Sequence, residues 1–485
     1  MDGIGSGSAR SYHGPAHVCS VATLAILLTG CMQTASVLNE MQSDGLVITP
    51  VRRGHGPSAD EWSTFSPTPR FARESSLPAA PLVEESPSAE TNTDEYWAAV
   101  ADFDLVASRG AATTGQEIRF VDAISLLSAG DREGAKTAFN EMAWQSEDMN
   151  VAAASQIMLA ATLMYEHRWS ELRDLGGNRQ IGAATHQNIA GMERWGSAFV
   201  GLDSQVTTFP EEEVALALGI TPVNTPTVLV RINGKEYHFW LDTGSTITVV
   251  SSDVAKRTGI SPLTDDVFTI ATFGGVAPAR PVNVKRMEIG GIVLANTPAI
   301  VIDADLMKVK ATAEGVPWSG LPVDGIIGWD TIRQFDLAMD YSEGTVTIKR
   351  PLNLGTRGTP SQNLTWVGRP LVKVSTKSGS TLHFTIDTGA QVSFLNGSAV
   401  KKAGVVPTAS NARPYGIAKN GGQSAQAVPS LRLGIAGKSL LLRDLIVYNP
   451  ASSGIIHCDG ILGSDVAQFG TIRIDATNGL FSVGG

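Results

Sequence analysis

Cysteine is almost missing from this chain: Cys19, Cys31 and Cys458 are the only thiols among 485 residues. There is no CxxC pair, and no His/Cys cluster has zinc-ligand spacing, so neither a disulfide scaffold nor a structural zinc organises the fold. Basic residues are also short, with 37 Lys and Arg against 47 Asp and Glu and a formal net charge of −10. A nucleic-acid binder shows a basic face to the phosphates, so this balance argues against that class of partner. The Gly3-Ile-Gly-Ser-Gly run follows no strand, which discounts phosphate binding. The histidines are scattered without HExxH or a Ser-His-Asp order. Neither metal nor cofactor is expected.

Long apolar runs are missing too. Val18 to Leu28 is the one sustained stretch near either end, too short for a mature bilayer-spanning helix and suited to a signal-peptide h-region. It runs into Leu28-Thr29-Gly30-Cys31, a quartet that resembles the bacterial lipobox. That resemblance implies cleavage before Cys31 and a diacylglyceryl group on its thiol. Met32 in the next position, where Asp would retain a lipoprotein at the inner membrane, implies outer-membrane retention with the protein facing the periplasm. An ordinary cleaved signal or a buried apolar strand is the alternative reading. Cys458, the one thiol left in the globular part, reads as a small buried apolar residue.

What is present divides the chain into unlike textures. After a leader over 1–30, residues 31–93 lack periodicity and carry Pro50, Pro57, Pro67, Pro69, Pro78, Pro81 and Pro87 among Ser and Glu. Such a segment buries too little apolar surface to fold and reads as a disordered tether. Over 94–221 proline nearly vanishes and apolar residues recur at helical spacing, as in Ile118 to Trp144, with a break at Ala129-Gly130-Asp131. Val151 to Tyr165 and Trp169 to Leu175 read as a second helix pair. Leu126, Gly130, Ala135 and Phe139 fall in a pattern similar to a tetratricopeptide hairpin, and a plain helical bundle fits equally. Such a region would serve as a platform recruiting substrate or as a pro-segment over a cleft.

From about Thr225 the pattern turns to short alternating runs of Val, Ile, Thr and Leu. Thr227 to Leu241 forms a hairpin about Asn233-Gly234 and delivers Asp242-Thr243-Gly244-Ser245. Leu382 to Ile386 delivers Asp387-Thr388-Gly389-Ala390 in the same way. The copies continue in order: Phe273-Gly274-Gly275 against Gly421-Gly422; Asp324-Gly-Ile-Ile-Gly-Trp-Asp330 against Asp459-Gly-Ile-Leu-Gly-Ser-Asp465; Asp340 with Gly344 against Asp475 with Gly479. A lone Asp-x-Gly is most often a turn. Four landmarks repeated in one order mean an internal duplication, residues 222–355 and 356–485.

This order is similar to the retropepsin-like aspartic protease family. The resemblance covers the C-terminal half and implies a multidomain chain: an all-β bilobal acid-protease fold of two tandem lobes, preceded by the helical region. It implies a peptidase acting on a polypeptide, with both lobes on one chain and hence a monomer with an internal pseudo-twofold. Asp242 and Asp387 would be the catalytic pair. Gly244 and Gly389 would turn the loops, Thr243 and Thr388 would bond across the lobes, and Ile327-Gly328 and Leu462-Gly463 would pack behind. Phe273, Gly274, Gly275, Gly421 and Gly422 would tip two flaps over an extended substrate. Ser245 can donate to Asp242 while Ala390 cannot do so for Asp387, so Asp242 is expected to be the more readily ionised. Asp330 and Asp465 read as caps or turn formers. A lipid-anchored binding protein without turnover, and a zymogen whose Glu211-Glu-Glu213 stretch fills the cleft, are the alternatives.

Overall fold

The computed structural model describes residues 23–24, 95–176, 183–221, 224–272, 275–309, 312–313, 316–317, 321–354, 362–410, 415–416, 419–420, 426–447 and 455–484. Cys31, Phe273, Gly274, Gly421, Gly422 and the expected tether lie outside the described residues. Within the expected leader, Thr23–Leu24 forms a short strand parallel to Phe268–Thr272.

The helices begin where the sequence supplies caps. The Thr114 hydroxyl accepts the Glu117 N–H at 3.1 Å, while the Glu117 carboxylate accepts the Thr114 N–H at 2.9 Å, opening Gly115–Ser128 with a reciprocal capping box. Asp131 and Asp148 cap Arg132–Gln145 and Met149–Tyr165. The expected break stands at Gly130, whose φ of 83° suits only a residue without Cβ. Glu95–Ala101 and Leu105–Ala111 precede these helices, and Trp169–Arg173 and Ala183–Phe199 follow. Phe120, Ile124, Leu127, Ala135 and Phe139 meet in their shared core.

The helical region ends sooner than residue 221. Val206–Thr208, Val214–Ala217 and Gly219–Ile220 are strands that join sheets of the following half. Val206-Thr-Thr208 is a β-branched run, and Pro210 and Gly219 interrupt the helical pattern on either side of Val214–Ala217. The Glu211-Glu-Glu213 stretch is correspondingly no plug for a cleft: all three residues are exposed, and Glu213 pairs with Lys349 at 2.5 Å beside the sheet.

Each half closes into a barrel of six strands. In the first, Pro226–Ile232 pairs with Gly275–Ile289, which pairs with Ile292–Ile302, then in turn Thr248–Ser251, Gly325–Ile327 and Lys235–Leu241, which returns to the start. The second repeats the circuit through Pro370–Thr376, Gln426–Ile435, Lys438–Val447, Phe394–Leu395, Gly460–Leu462 and Thr381–Ile386. Parallel and antiparallel pairings fall at the same places in both. The duplication seen in sequence is therefore a duplication of topology.

A third sheet takes strands from both halves, in the order Leu480–Val483, Ile472–Asp475, Asp336–Asp340, Thr345–Lys349, Val214–Ala217. Asp336–Asp340 from the first half pairs antiparallel with Ile472–Asp475 from the second. Leu337 and Ile474 are fully buried on this sheet, in one core with Phe239 of the first barrel and Phe384 of the second. The lobes are thus tied along their strands, and their Asp-Thr-Gly loops face each other.

Candidate active site

Asp242 and Asp387 each follow directly on a barrel strand, and each is held by the second half of its own lobe. The Asp242 N–H donates to the Ile327 carbonyl at 3.1 Å, and the Asp387 N–H donates to that of Leu462 at 2.9 Å. Behind the loops the Trp329 N–H donates to the Ser245 carbonyl at 2.7 Å, and the Ser464 N–H to that of Ala390 at 2.8 Å. The approach is close enough to require glycine. A Cβ on Gly328 would lie 2.5 Å from the Ile247 carbonyl carbon, and one on Gly463 would lie 2.6 Å from that of Val392. Ile327, Gly328, Leu462 and Gly463 therefore stand where the sequence puts them, as backing for the two loops.

Across the interface the threonines lock. The Thr243 N–H donates to Thr388 Oγ1 at 3.1 Å, and the Thr388 N–H donates to Thr243 Oγ1 at 3.0 Å. Thr388 Oγ1 spends its own proton on the Leu241 carbonyl at 2.5 Å. The glycines bring each loop onto the other lobe's carboxylate: a Cβ on Gly244 would lie 2.5 Å from Asp387 Oδ1, and one on Gly389 would lie 2.5 Å from Asp242 Cγ. Asp242 is buried and Asp387 half-buried, with their carboxyl groups in hydrogen-bonding contact.

Two carboxyls so placed hold a shared proton, because like charges in contact cannot both ionise cheaply. Burial pushes Asp242 up, while the N–H groups of Gly244 (2.9 Å) and Ser245 (3.3 Å) stabilise its ionised form. Burial pushes Asp387 well above the carboxylate range, and the neighbouring charge of Asp242 adds to the rise. Both carboxyls are thus pushed up, Asp387 further than Asp242. The expected bond from the Ser245 hydroxyl to Asp242 is not formed: Ser245 Oγ donates to the Ile247 carbonyl at 2.8 Å, leaving the backbone N–H as this residue's bond to the carboxylate. A short reach to a carbonyl two residues on captures the hydroxyl. Ala390 supplies its backbone N–H to Asp387 at 2.9 Å.

Two pairs of residues behind the loops do more than cap helices. Thr248 Oγ1 accepts the Gly328 N–H at 3.3 Å and donates to Asp330 Oδ1 at 3.0 Å. Ser393 Oγ accepts the Gly463 N–H at 3.0 Å and donates to Asp465 Oδ1 at 2.6 Å. Asp330 and Asp465 thus brace the glycines that press on the catalytic loops, a role that sequence reading did not give them. Asp324 and Asp459 are a third matched pair, accepting the N–H groups of His238 at 3.2 Å and His383 at 2.8 Å to tie the backing strands to the hairpins.

Of the flap positions, Gly275 is described and pairs with Thr272 at the tip of the hairpin between Phe268–Thr272 and Gly275–Ile289. In the second lobe Tyr415–Gly416 pairs with Lys419–Asn420, just before the expected tip.

Residues 228–331 match the family model described as aspartyl protease. Among solved structures, the crystal structure of a retropepsin-like aspartic protease from Rickettsia conorii matches at 16% identity, covering 30% of this chain and 92% of that chain with a TM-score of 0.20. No curated protein matches the chain.

Proposed function

We propose that this chain, whose residues 228–331 match the aspartyl protease family model, hydrolyses peptide bonds with Asp242 and Asp387 as one catalytic dyad. The observation that carries this reading is the meeting of two carboxyls at the ends of two copied loops, each loop glycine pressed on the other lobe's aspartate. A water held between them gives a proton to ionised Asp242 as its oxygen attacks the substrate carbonyl. Protonated Asp387 hydrogen-bonds the carbonyl oxygen as negative charge develops there. On collapse of the tetrahedral intermediate the amine leaves with a proton from the pair, one proton having entered from water. The flap hairpin offers strand edges along which an extended polypeptide would lie.

The test is cleavage of a denatured-protein or peptide-library substrate across acidic to neutral pH, with Asp242→Asn and Asp387→Asn beside the wild-type chain. Both substitutions should abolish cleavage, and cleavage surviving in either one would refute the dyad. Lipidation at Cys31, placement at the outer membrane facing the periplasm, action as a monomer, and a tetratricopeptide-like character of the helices complete the proposal and rest on sequence. Labelling with a radioactive fatty acid, lost in Cys31→Ser, tests the anchor.

A further inference from the structure

The helical region belongs to neither barrel and grips both. On the first lobe Trp195 meets Phe268 edge-on at 5.0 Å. On the second, Lys402 bonds Asp102 at 3.1 Å and Thr365 Oγ1 donates to the Ser128 carbonyl at 2.8 Å. Between these contacts lies a single side chain that touches all three parts.

Tyr165 ends the 17-residue helix Met149–Tyr165. Its ring lies 4.0 Å, centroid to centroid, from that of Trp366 in the second lobe. On the first lobe the Arg333 guanidinium sits 4.0 Å from the same ring centroid, and Arg333 Nη2 donates to the Tyr165 carbonyl at 2.6 Å. That carbonyl is at the helix C-terminus, where the aligned peptide dipoles present negative charge to a cation. Arg333 forms no ion pair among the described residues, so the helix end and the ring hold its charge. Arg333 in turn caps the short helix Trp329–Ile332, which carries the Trp329 N–H that bonds the Ser245 carbonyl and the Asp330 that braces Gly328. A path of contacts therefore runs from the helical region to the Asp242 loop, while the same ring rests on the second lobe.

We propose that the helical region is a clasp fixing the position of one lobe against the other, and that Tyr165 is its positioning residue. The shared sheet and the threonine bonds join the lobes directly, and the clasp adds an attachment through the helical region. Its consequence is the spacing of the two carboxyls, to which, among the described residues, none of the helical region bonds.

Tyr165→Ala removes the ring from between Arg333 and Trp366, and Tyr165→Phe keeps it. Amide hydrogen exchange at Thr243 and Thr388, whose N–H groups donate across the lobes, reads the joint directly. In Tyr165→Ala those two amides should exchange about tenfold faster or more than in wild type, with Tyr165→Phe close to wild type. The activity readout rests on the peptidase reading: kcat should fall about 10- to 100-fold with KM little changed, since a small misplacement of reacting groups costs that much. The two limbs of the pH–rate profile should also draw together as the carboxyls separate. Trp366→Leu removes the second-lobe side of the stack and should shift the same readouts, which keeps the test usable where Tyr165→Ala does not fold. Unchanged exchange at both amides in Tyr165→Ala or Trp366→Leu, or equal acceleration in Tyr165→Phe, would overturn the clasp. A wild-type chain that cleaves nothing would overturn the peptidase reading instead, and exchange alone would then decide on the clasp.

Discussion

The two threonines at the lobe interface occupy equivalent places in the duplicated sequence, yet they should not be equally costly to replace. Thr388 Oγ1 does two things at once: it accepts the Thr243 N–H at 3.1 Å and donates to the Leu241 carbonyl at 2.5 Å. A hydroxyl has one proton to give, so in the 3.5 Å contact between the two hydroxyls Thr243 is the donor. Thr243 Oγ1 otherwise accepts only the Thr388 N–H, at 3.0 Å. Both side chains are buried, at 4% and 2% exposure, so water cannot replace what is lost. Thr388→Val leaves a buried N–H and a buried carbonyl unpaired, at about 1–3 kcal/mol each, or about 2–6 kcal/mol together. Thr243→Val strands one buried N–H and one weak contact, at about 1–3 kcal/mol. Thr388→Ser keeps both bonds and should lose about 1 kcal/mol or less, mainly from the missing methyl. Urea unfolding followed by tryptophan fluorescence measures all three. Equal losses in the two valine variants, or a larger loss in Thr243→Val, would refute the assignment of donors and with it the asymmetry of the joint.

Ser245→Ala removes the bond to the Ile247 carbonyl and leaves the backbone N–H on Asp242 in place. It should lower stability by about 1 kcal/mol while the acidic limb of the pH–rate profile stays put; an upward move of that limb would restore a direct hydroxyl–carboxylate bond. Asp330 concerns stability more than rate. Burial lifts its carboxyl to about 7, and its Oδ2 has no hydrogen-bond partner among the described residues. The folded state then binds the proton more tightly than the unfolded chain, so this group's contribution is lost as pH rises from the ordinary carboxylate range through about 7. Asn stays neutral and still accepts from Thr248. Asp330→Asn should match wild type near pH 4 and exceed it near pH 8 by up to on the order of 4 kcal/mol in urea unfolding. A wild type that is the more stable protein at pH 8 would contradict this.

The catalytic loops and their backing were legible because each is contiguous in sequence and each occurs twice. Hairpin, Asp-Thr-Gly and Ile-x-Gly carry their own local geometry, so spacing alone places them on successive strands of a barrel. The strand Val214–Ala217 was not legible as part of that half. Alternation identifies a strand but not its partner, and here the partner is Thr345–Lys349, far along the chain. Thr248 and Ser393 left a signal that could have been used: each stands six places after its aspartate, and Asp330 and Asp465 each stand two after the backing glycine. Their bonds needed the fold to bring the two segments together. Tyr165 left no signal, because its importance comes from what lies on either side of its ring, and those residues come from different lobes.

The unequal burden on the two threonines has a counterpart in the aspartates, and one cause covers both. A duplicated chain starts with two equal halves, and an exact twofold would leave the proton with equal claim on either carboxyl. Here the copies no longer match. Asp242 receives the N–H groups of Gly244 and Ser245 from its own loop, and Gly389 adds to them from the other. Asp387 has the N–H groups of Ala390 and Gly389 from its own loop and faces the carboxyl of Asp242. Backbone donors fixed by loop shape bond both aspartates, while the Ser245 hydroxyl is spent on the Ile247 carbonyl. Exchanging Ser245 and Ala390 between the lobes leaves those donors where they are and should leave the order of ionisation unchanged. Loosening one loop against the other, as Thr388→Val would, should move the backbone donors of both aspartates at once.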